Sequence, residues 1–325
     1  MNATVSLLHW VQSASLFLCL VTAPGLHGAD KDTYVPPDFE PPPASIAGAT
    51  RHIYKTGENY QLPIYVFAPA ADGPGPTSAV VFFHGSGWHC GTVVQFVEHA
   101  RRLAAKGMVA AVAEYRVKVG YDATPWDGVA DAKSALRWMR AHAAEPGADS
   151  GQVVAAGGSA GAHLALAAAV FTDRFDDARD DLTLPARPDA VVLFAGVADT
   201  TPLSPDEPPN ELFAGRAEEL SPLHHLPPGM PPVQIFQGDQ DPWAPLSRVA
   251  ALAEAMAANG DACELLPFAG RSHFFYNLPA YYSKYPAFTP IRGADQNDFE
   301  ACLFLMAHFL HRHGFLPRRP VFGGN

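Results

Sequence analysis

The chain has 325 residues, 48% of them hydrophobic and 17% charged, with a formal net charge of -11. That length and apolar content are enough to bury one large core, for which a single α/β domain is the default. The negative balance disfavours a nucleic acid or an anionic membrane as partner, since either would be repelled by this surface.

At the N-terminus, the apolar run Leu16 to Val21 followed by Thr22-Ala23-Pro24-Gly25 and Gly28-Ala29 predicts a secretory signal over residues 1–29. The run falls short of the roughly 20 apolar residues that a membrane span needs. No Lys or Arg precedes residue 31, so only the amino terminus supplies the usual positive charge; export is the expectation and a cytoplasmic chain the alternative. Removal of the signal would take Cys19 and leave Cys90, Cys263 and Cys302, an odd set of small hydrophobes in which a Cys263–Cys302 bridge is open to an exported protein. Residues 30–48, with prolines at 36, 37, 41, 42 and 43, form neither helix nor inner strand and read as an extended linker. One domain is expected over 49–318, with 319–325 as a tail.

His52-Ile53-Tyr54 and Leu62 to Phe67 read as an opening pair of strands. Apolar runs and helical periods then alternate. Strands are expected at Ala79 to Phe83, Met108 to Ala113, Val153 to Ala156, Ala190 to Phe194, Val233 to Gln237 and Cys263 to Pro267. Helices are expected at about 97–106, 126–144, after residue 159, at 245–259 and at about 299–311. Such alternation implies a mainly parallel sheet covered on both faces. Two stretches interrupt it: an acidic connection from Thr172 to Pro188, read as solvated, and a proline-rich irregular segment from Val197 to Pro232, placed to cover a site.

The chemistry concentrates in loops that follow strands. Gly157-Gly158-Ser159-Ala160-Gly161 is a G-x-S-x-G frame between a strand and an alanine-rich helix, which makes Ser159 a candidate nucleophile presented at a helix N-terminus. With this composition the frame would arise by chance in about one chain in ten, so its surroundings must decide. Strand Ala79 to Phe83 runs into His84-Gly85-Ser86-Gly87-Trp88, a loop able to turn main-chain amides toward an anionic oxygen; the candidate donors are Gly85 or Ser86 together with Ala160. After Gln237 comes Gly238-Asp239-Gln240-Asp241, and after Pro267 comes Gly270-Arg271-Ser272-His273. An acid and His273 as base thus follow the serine in the chain order of α/β-hydrolases.

With these motifs, and with Glu114-Tyr115-Arg116, Asp131, Ser221-Pro222 and Phe274, the chain from about Thr50 onward resembles the carboxylesterases of the α/β-hydrolase superfamily, close to hormone-sensitive-lipase-like and acetyl or feruloyl polysaccharide esterases. The resemblance implies a mostly parallel twisted sheet of about eight strands with helices on both faces. It assigns the acid to Asp241, with Asp239 as fallback, and implies ester hydrolysis through an acyl-enzyme with no metal or organic cofactor. The implied substrates are acetyl or other short acyl esters, of a small molecule or a polysaccharide. Amide cleavage by the same residues and a catalytically silent binding module are the alternatives. Ser86 stands where the family more often has glycine, and Ala162 where glycine commonly precedes the histidine.

Several residues carry competing readings. Trp88 and Trp126 either line a substrate pocket or pack in the core. Phe274, Phe275 and Tyr276, with Tyr281, Tyr282, Tyr285 and Phe288, either stack on substrate or anchor a long loop. His84 fits an orienting role within its loop better than a metal role, and neither His89 with Cys90 nor His224 with His225 has a spacing that converges on a metal. Glu114, Arg116 and Asp131 read as a structural ion network.

Overall fold

The computed structural model describes residues 40–69, 77–85, 87–204, 210–280 and 295–316. The expected signal, most of the proline-rich linker, Ser86, the tyrosines at 281, 282 and 285, Phe288 and the tail lie outside these residues. Eight strands form one sheet among the described residues: β1 (Thr50–Thr56), β2 (Gln61–Phe67), β3 (Thr77–Phe83), β4 (Val109–Ala113), β5 (Ala148–Gly158), β6 (Ala190–Phe194), β7 (Val233–Gly238) and β8 (Cys263–Phe268). Their order is β1-β2-β4-β3-β5-β6-β7-β8. The pairings β1–β2 and β2–β4 are antiparallel and all the others parallel. The loops after β3, β5, β7 and β8 therefore open on one edge.

Alternation along the strands divides the core into two layers. Val81, Phe83, Val153, Ala155, Val191 and Leu193 face one side, and Val80, Phe82, Val154, Ala156, Val192 and Phe194 the other. Helices α1 (Val97–Ala105) and α5 (Gln296–Arg312) cover the second side; α2 (Pro125–Ala141), α3 (Ala160–Val170) and α4 (Leu246–Ala258) cover the first. Every residue of α3 is buried, which explains why its sequence has no polar stripe. Helix α2 starts one residue earlier than the periodicity predicts, because Thr124 and Asp127 form a reciprocal capping box with Pro125 at the first helical position. On the α1/α5 side the rings of Phe194 and Phe236 stack with centroids 5.0 Å apart, and Tyr276 lies 5.3 Å from Phe194. Deleting a buried ring of this kind costs about 3–5 kcal/mol.

The acidic connection is solvated only in part, because three of its aspartates turn toward buried cations. Asp176 lies 2.8 Å from the buried Lys133 Nζ and 2.6 Å from Arg137, Asp180 lies 3.3 Å from Arg137, and Asp177 lies 2.9 Å from the buried Lys55. Buried cations on α2 and β1 require these partners, so part of the aspartate run is drawn inward. Asp173 and Asp181 remain exposed. Cys263 and Cys302 are not disulfide-bonded.

Candidate active site

Ser159 follows β5 and caps α3 with φ +52° and ψ -118°, a strained conformation for a residue with a side chain. Its N–H donates to Phe194 O at 2.9 Å and its carbonyl accepts from His163 N at 3.0 Å. The turn can be this tight because residue 157 lacks a Cβ, which would collide with the carbonyl oxygen of Gly161, and the start of α3 can press on the end of β3 because a Cβ at 161 would collide with the carbonyl oxygen of Phe83. Ala160 is the first residue of α3, so its amide has no acceptor within its own helix.

His273 and Asp241 converge from the loops after β8 and β7. His273 Nδ1 lies 2.7 Å from Asp241 Oδ2, and both side chains are buried. Donation from Nδ1–H leaves Nε2 as a proton acceptor. Asp241 is held in turn: Oδ1 accepts from the amides of Trp243 at 3.0 Å and Ala244 at 2.9 Å, and Oδ2 accepts from Gln237 Nε2 at 2.9 Å. Asp239, the fallback acid, is exposed and accepts from the Gly270 amide at 2.7 Å, joining two loops without reaching the imidazole.

Ser159 and His273 line one cavity of about 680 Å³. Trp88, Phe274 and Trp243 contribute aromatic walls, and the irregular segment supplies Val197, Asp199 to Leu203 and Asn210 to Phe213. That segment therefore bounds the site as its position predicts. Trp88 meets Phe213 edge-on at 5.0 Å, while Trp126 stands behind Phe213 at 5.9 Å and does not line the cavity. Phe275 and Tyr276 are fully buried in the α1/α5 layer, so of the Phe274-Phe275-Tyr276 run only Phe274 faces the cavity.

The loop after β3 lies against the nucleophile turn, with Gly85 packed over Gly158 and Ser159. The Gly85 amide donates to Gln95 Oε1 at 2.6 Å. Of the donors named from sequence, Gly85 is thus engaged below the site and Ala160 is available; Gly87, with φ +65°, also lines the cavity. His84 is buried with Nδ1 3.1 Å from Gly85 O, and burial lowers its pKa to about 4. Its ring stacks on Tyr115, whose hydroxyl donates to His84 O at 2.8 Å. Glu114 is not part of the ion network expected for it. Asp131 pairs with Arg116 at 2.8 Å and Lys55 at 2.7 Å, whereas both Glu114 carboxyl oxygens lack hydrogen-bond partners, and burial with the nearby Asp131 pushes its pKa well above the usual range. Glu114 Oε2 instead stands 3.9 Å from His84 Nε2.

Gln95, Gln237, Asn277 and Gly87 were not singled out from the sequence. Only Gly87 had a local signal, its place in the H-G-x-G-W loop. The glutamines and the asparagine act through partners up to 182 residues away. Among the described residues, no cluster of three His, Cys, Asp or Glu side chains is arranged to hold a metal ion, and no helix is long and apolar enough to cross a membrane.

Fold and strand-edge loops define an α/β-hydrolase of the carboxylesterase class, and comparison with known proteins agrees. The chain belongs to the BD-FAE family, whose model matches residues 64–256. It is similar to esterase 2 of Thermogutta terrifontis in its apo form, with a TM-score of 0.75 and 36% identity over 84% of this chain and 98% of that one. The same esterase with propionate bound matches with a TM-score of 0.74 and 37% identity over 84% and 97%. Carboxylesterase NlhH of Mycobacterium tuberculosis is 35% identical over 88 residues, so the match spans about a quarter of that relative, 26% of each chain.

Proposed function

We propose that this carboxylesterase is a serine hydrolase that works through an acyl-enzyme, with Ser159 as nucleophile, His273 as general base and Asp241 as the group that orients it. The observation that carries the reading is the Asp241–His273 hydrogen bond of 2.7 Å sharing a cavity with a serine held at positive φ. Ser159 Oγ attacks the ester carbonyl carbon while its proton passes to His273 Nε2. The anionic oxygen is received by the Ala160 amide and by amides of the loop after β3, with Ser86 or Gly87 in place of the engaged Gly85. Collapse breaks the acyl–oxygen bond, the departing alcohol takes the proton from His273, and water repeats the cycle on the acyl-serine. A lost amide donor of this kind costs about 2.7–4 kcal/mol of transition-state stabilisation.

Short acyl groups fit best. The aromatic walls at Trp88 and Phe213 bound the cavity, and the Thermogutta esterase has been solved with propionate and with butyrate bound. The alcohol is a small molecule or a polysaccharide hydroxyl, the latter matching the export that residues 1–29 suggest. A chain-length series of p-nitrophenyl esters, with acetylated xylan and an aryl amide as further arms, tests the reading in wild type and Ser159→Ala. Expected are a preference for short acyl chains such as the propionyl and butyryl groups that match the acids bound to the Thermogutta esterase, little amide turnover, and a loss of about 10⁴-fold or more in the variant. Unchanged ester turnover in Ser159→Ala would overturn the mechanism. Faster turnover of the amide would move the assignment to an amidase.

A further inference from the structure

Gln95 lies in the short 3-10 turn Val93–Phe96 before α1, opened by Thr92, whose Oγ1 accepts from Val94 N at 3.4 Å. Its side chain is buried and uses both ends of its amide. Oε1 accepts from the Gly85 amide at 2.6 Å; Nε2 donates to the Tyr276 hydroxyl at 3.3 Å and to Asn277 Oδ1 at 3.1 Å. Since the Gly85 N–H can only donate, the orientation of the side-chain amide is fixed. Tyr276 is also pressed against the nucleophile turn: a Cβ on Gly158 would collide with the phenol oxygen. One neutral side chain thus touches the loop after β3 and the loop that carries His273, and through Tyr276 it reaches the turn that carries Ser159.

Resting on the serine-esterase reading above, we infer that Gln95 is a positioning residue that locks the oxyanion loop to the base loop. Turning the Gly85 amide down onto Oε1 fixes the His84–Gly85 peptide plane, so the later amides of the loop are set relative to Ser159. Holding Tyr276 and Asn277 from the other end sets the chain three and four residues beyond His273. An uncharged amide suits this place. A permanent charge beneath the loop would act on the anion formed above it, whereas a carboxamide supplies an acceptor and donors with no net field of that kind.

The test uses Gln95→Leu, which keeps bulk and removes both arms, Gln95→Glu, which keeps the acceptor for Gly85, and Tyr276→Phe, which removes one hydroxyl. Active sites are counted from the p-nitrophenolate burst with paraoxon, and kcat for p-nitrophenyl acetate is expressed per counted site. Expected for Gln95→Leu is a kcat per site lower by about 10–100-fold with KM within about twofold, as for misplacement of oxyanion donors. Gln95→Glu, which keeps the acceptor but brings a charge under the loop and loses the donors to Tyr276 and Asn277, should recover none of this loss, and Tyr276→Phe should lose about 2–5-fold by the same measure. A Gln95→Leu enzyme with fewer countable sites but wild-type kcat per site has only a structural role for Gln95 and overturns the inference. If Gln95→Leu fails to fold, Tyr276→Phe decides, and an unchanged kcat per site overturns it. A wild type that gives no burst while still cleaving esters fails the serine reading itself, which is a different result from a normal burst with insensitive variants.

Discussion

On the side of the proposed base, His273 is held by a carboxylate whose two oxygens take four hydrogen bonds, from His273, Gln237 and the amides of Trp243 and Ala244. On the oxyanion side, the loop after β3 rests on Gln95, on a His84 whose pKa is lowered to about 4, and on a Glu114 carboxyl whose pKa burial raises. On the first side both oxygens of the acid are satisfied, as its proposed orienting role requires. On the second, where the proposed reaction develops negative charge only in the transition state, Gln95 carries no charge and burial disfavours charge on His84 and Glu114.

The largest expected effect breaks the charged side. Asp241→Asn keeps the shape but lets the imidazole choose the other tautomer, and kcat for a short p-nitrophenyl ester should fall by about 10⁴-fold. A loss under tenfold would mean that Asp241 does not set the tautomer. Next comes Gln237→Leu, which strips one bond from Asp241 and also leaves Ala244 O and the Gly196 amide without partners that now lie at 2.6 and 2.9 Å. Stability should drop by about 1–3 kcal/mol, and kcat by about 10–100-fold through a displaced carboxylate.

Neutrality on the other side has a signature in stability against pH. His84 and His163 have pKa values lowered to about 4 and His99 to about 3, in each case mainly by burial. Their ordinary value is near 6.5, so between about pH 6.5 and 4 the unfolded chain binds more protons at these three sites, and stability falls as pH falls through that window. Each site contributes about 1.4 kcal/mol, or tenfold in the folding constant, per pH unit. Denaturant unfolding at pH 7, 6 and 5 reads this directly, and a flat series would contradict neutral burial. Glu114 has the opposite sign: its raised pKa gives stability that is complete below the ordinary carboxylate value and is lost as pH rises through the folded one. Because burial favours the uncharged form of this acid, Glu114→Gln should leave kcat/KM within about twofold and shrink the loss of stability with rising pH. A large loss of activity in that variant would show that Glu114 works as a carboxylate.

The sheet was legible because parallel strands buried on both faces appear as uninterrupted apolar runs, as in Ala190–Phe194, where expected and observed limits coincide. β5 begins at Ala148, five residues before the apolar run starts, because Asp149, Ser150 and Gly151 are exposed and carry no apolar signal for a strand. The Ser159, Asp241 and His273 loops were legible because each follows such a run and carries a local motif. The segment from Val197 to Pro232 was readable only as irregular, since its 3-10 turns at Glu211–Phe213, Ala217–Leu220 and Pro222–His225 have no period of their own. Contacts across the fold leave no local trace: nothing near Gln95 announces Gly85 or Asn277, and nothing in Glu114-Tyr115-Arg116 separates the paired Arg116 from the unpaired Glu114.

The central claim is that Ser159 becomes covalently acylated. The most direct measurement is peptide mass mapping after treatment of the full chain with paraoxon, a reagent known to phosphorylate the related Thermogutta esterase. One diethylphosphoryl group on the peptide containing Ser159, formed in step with loss of ester turnover, is the predicted result. Inactivation with the label on another residue, or full labelling of Ser159 with ester turnover intact, would contradict it.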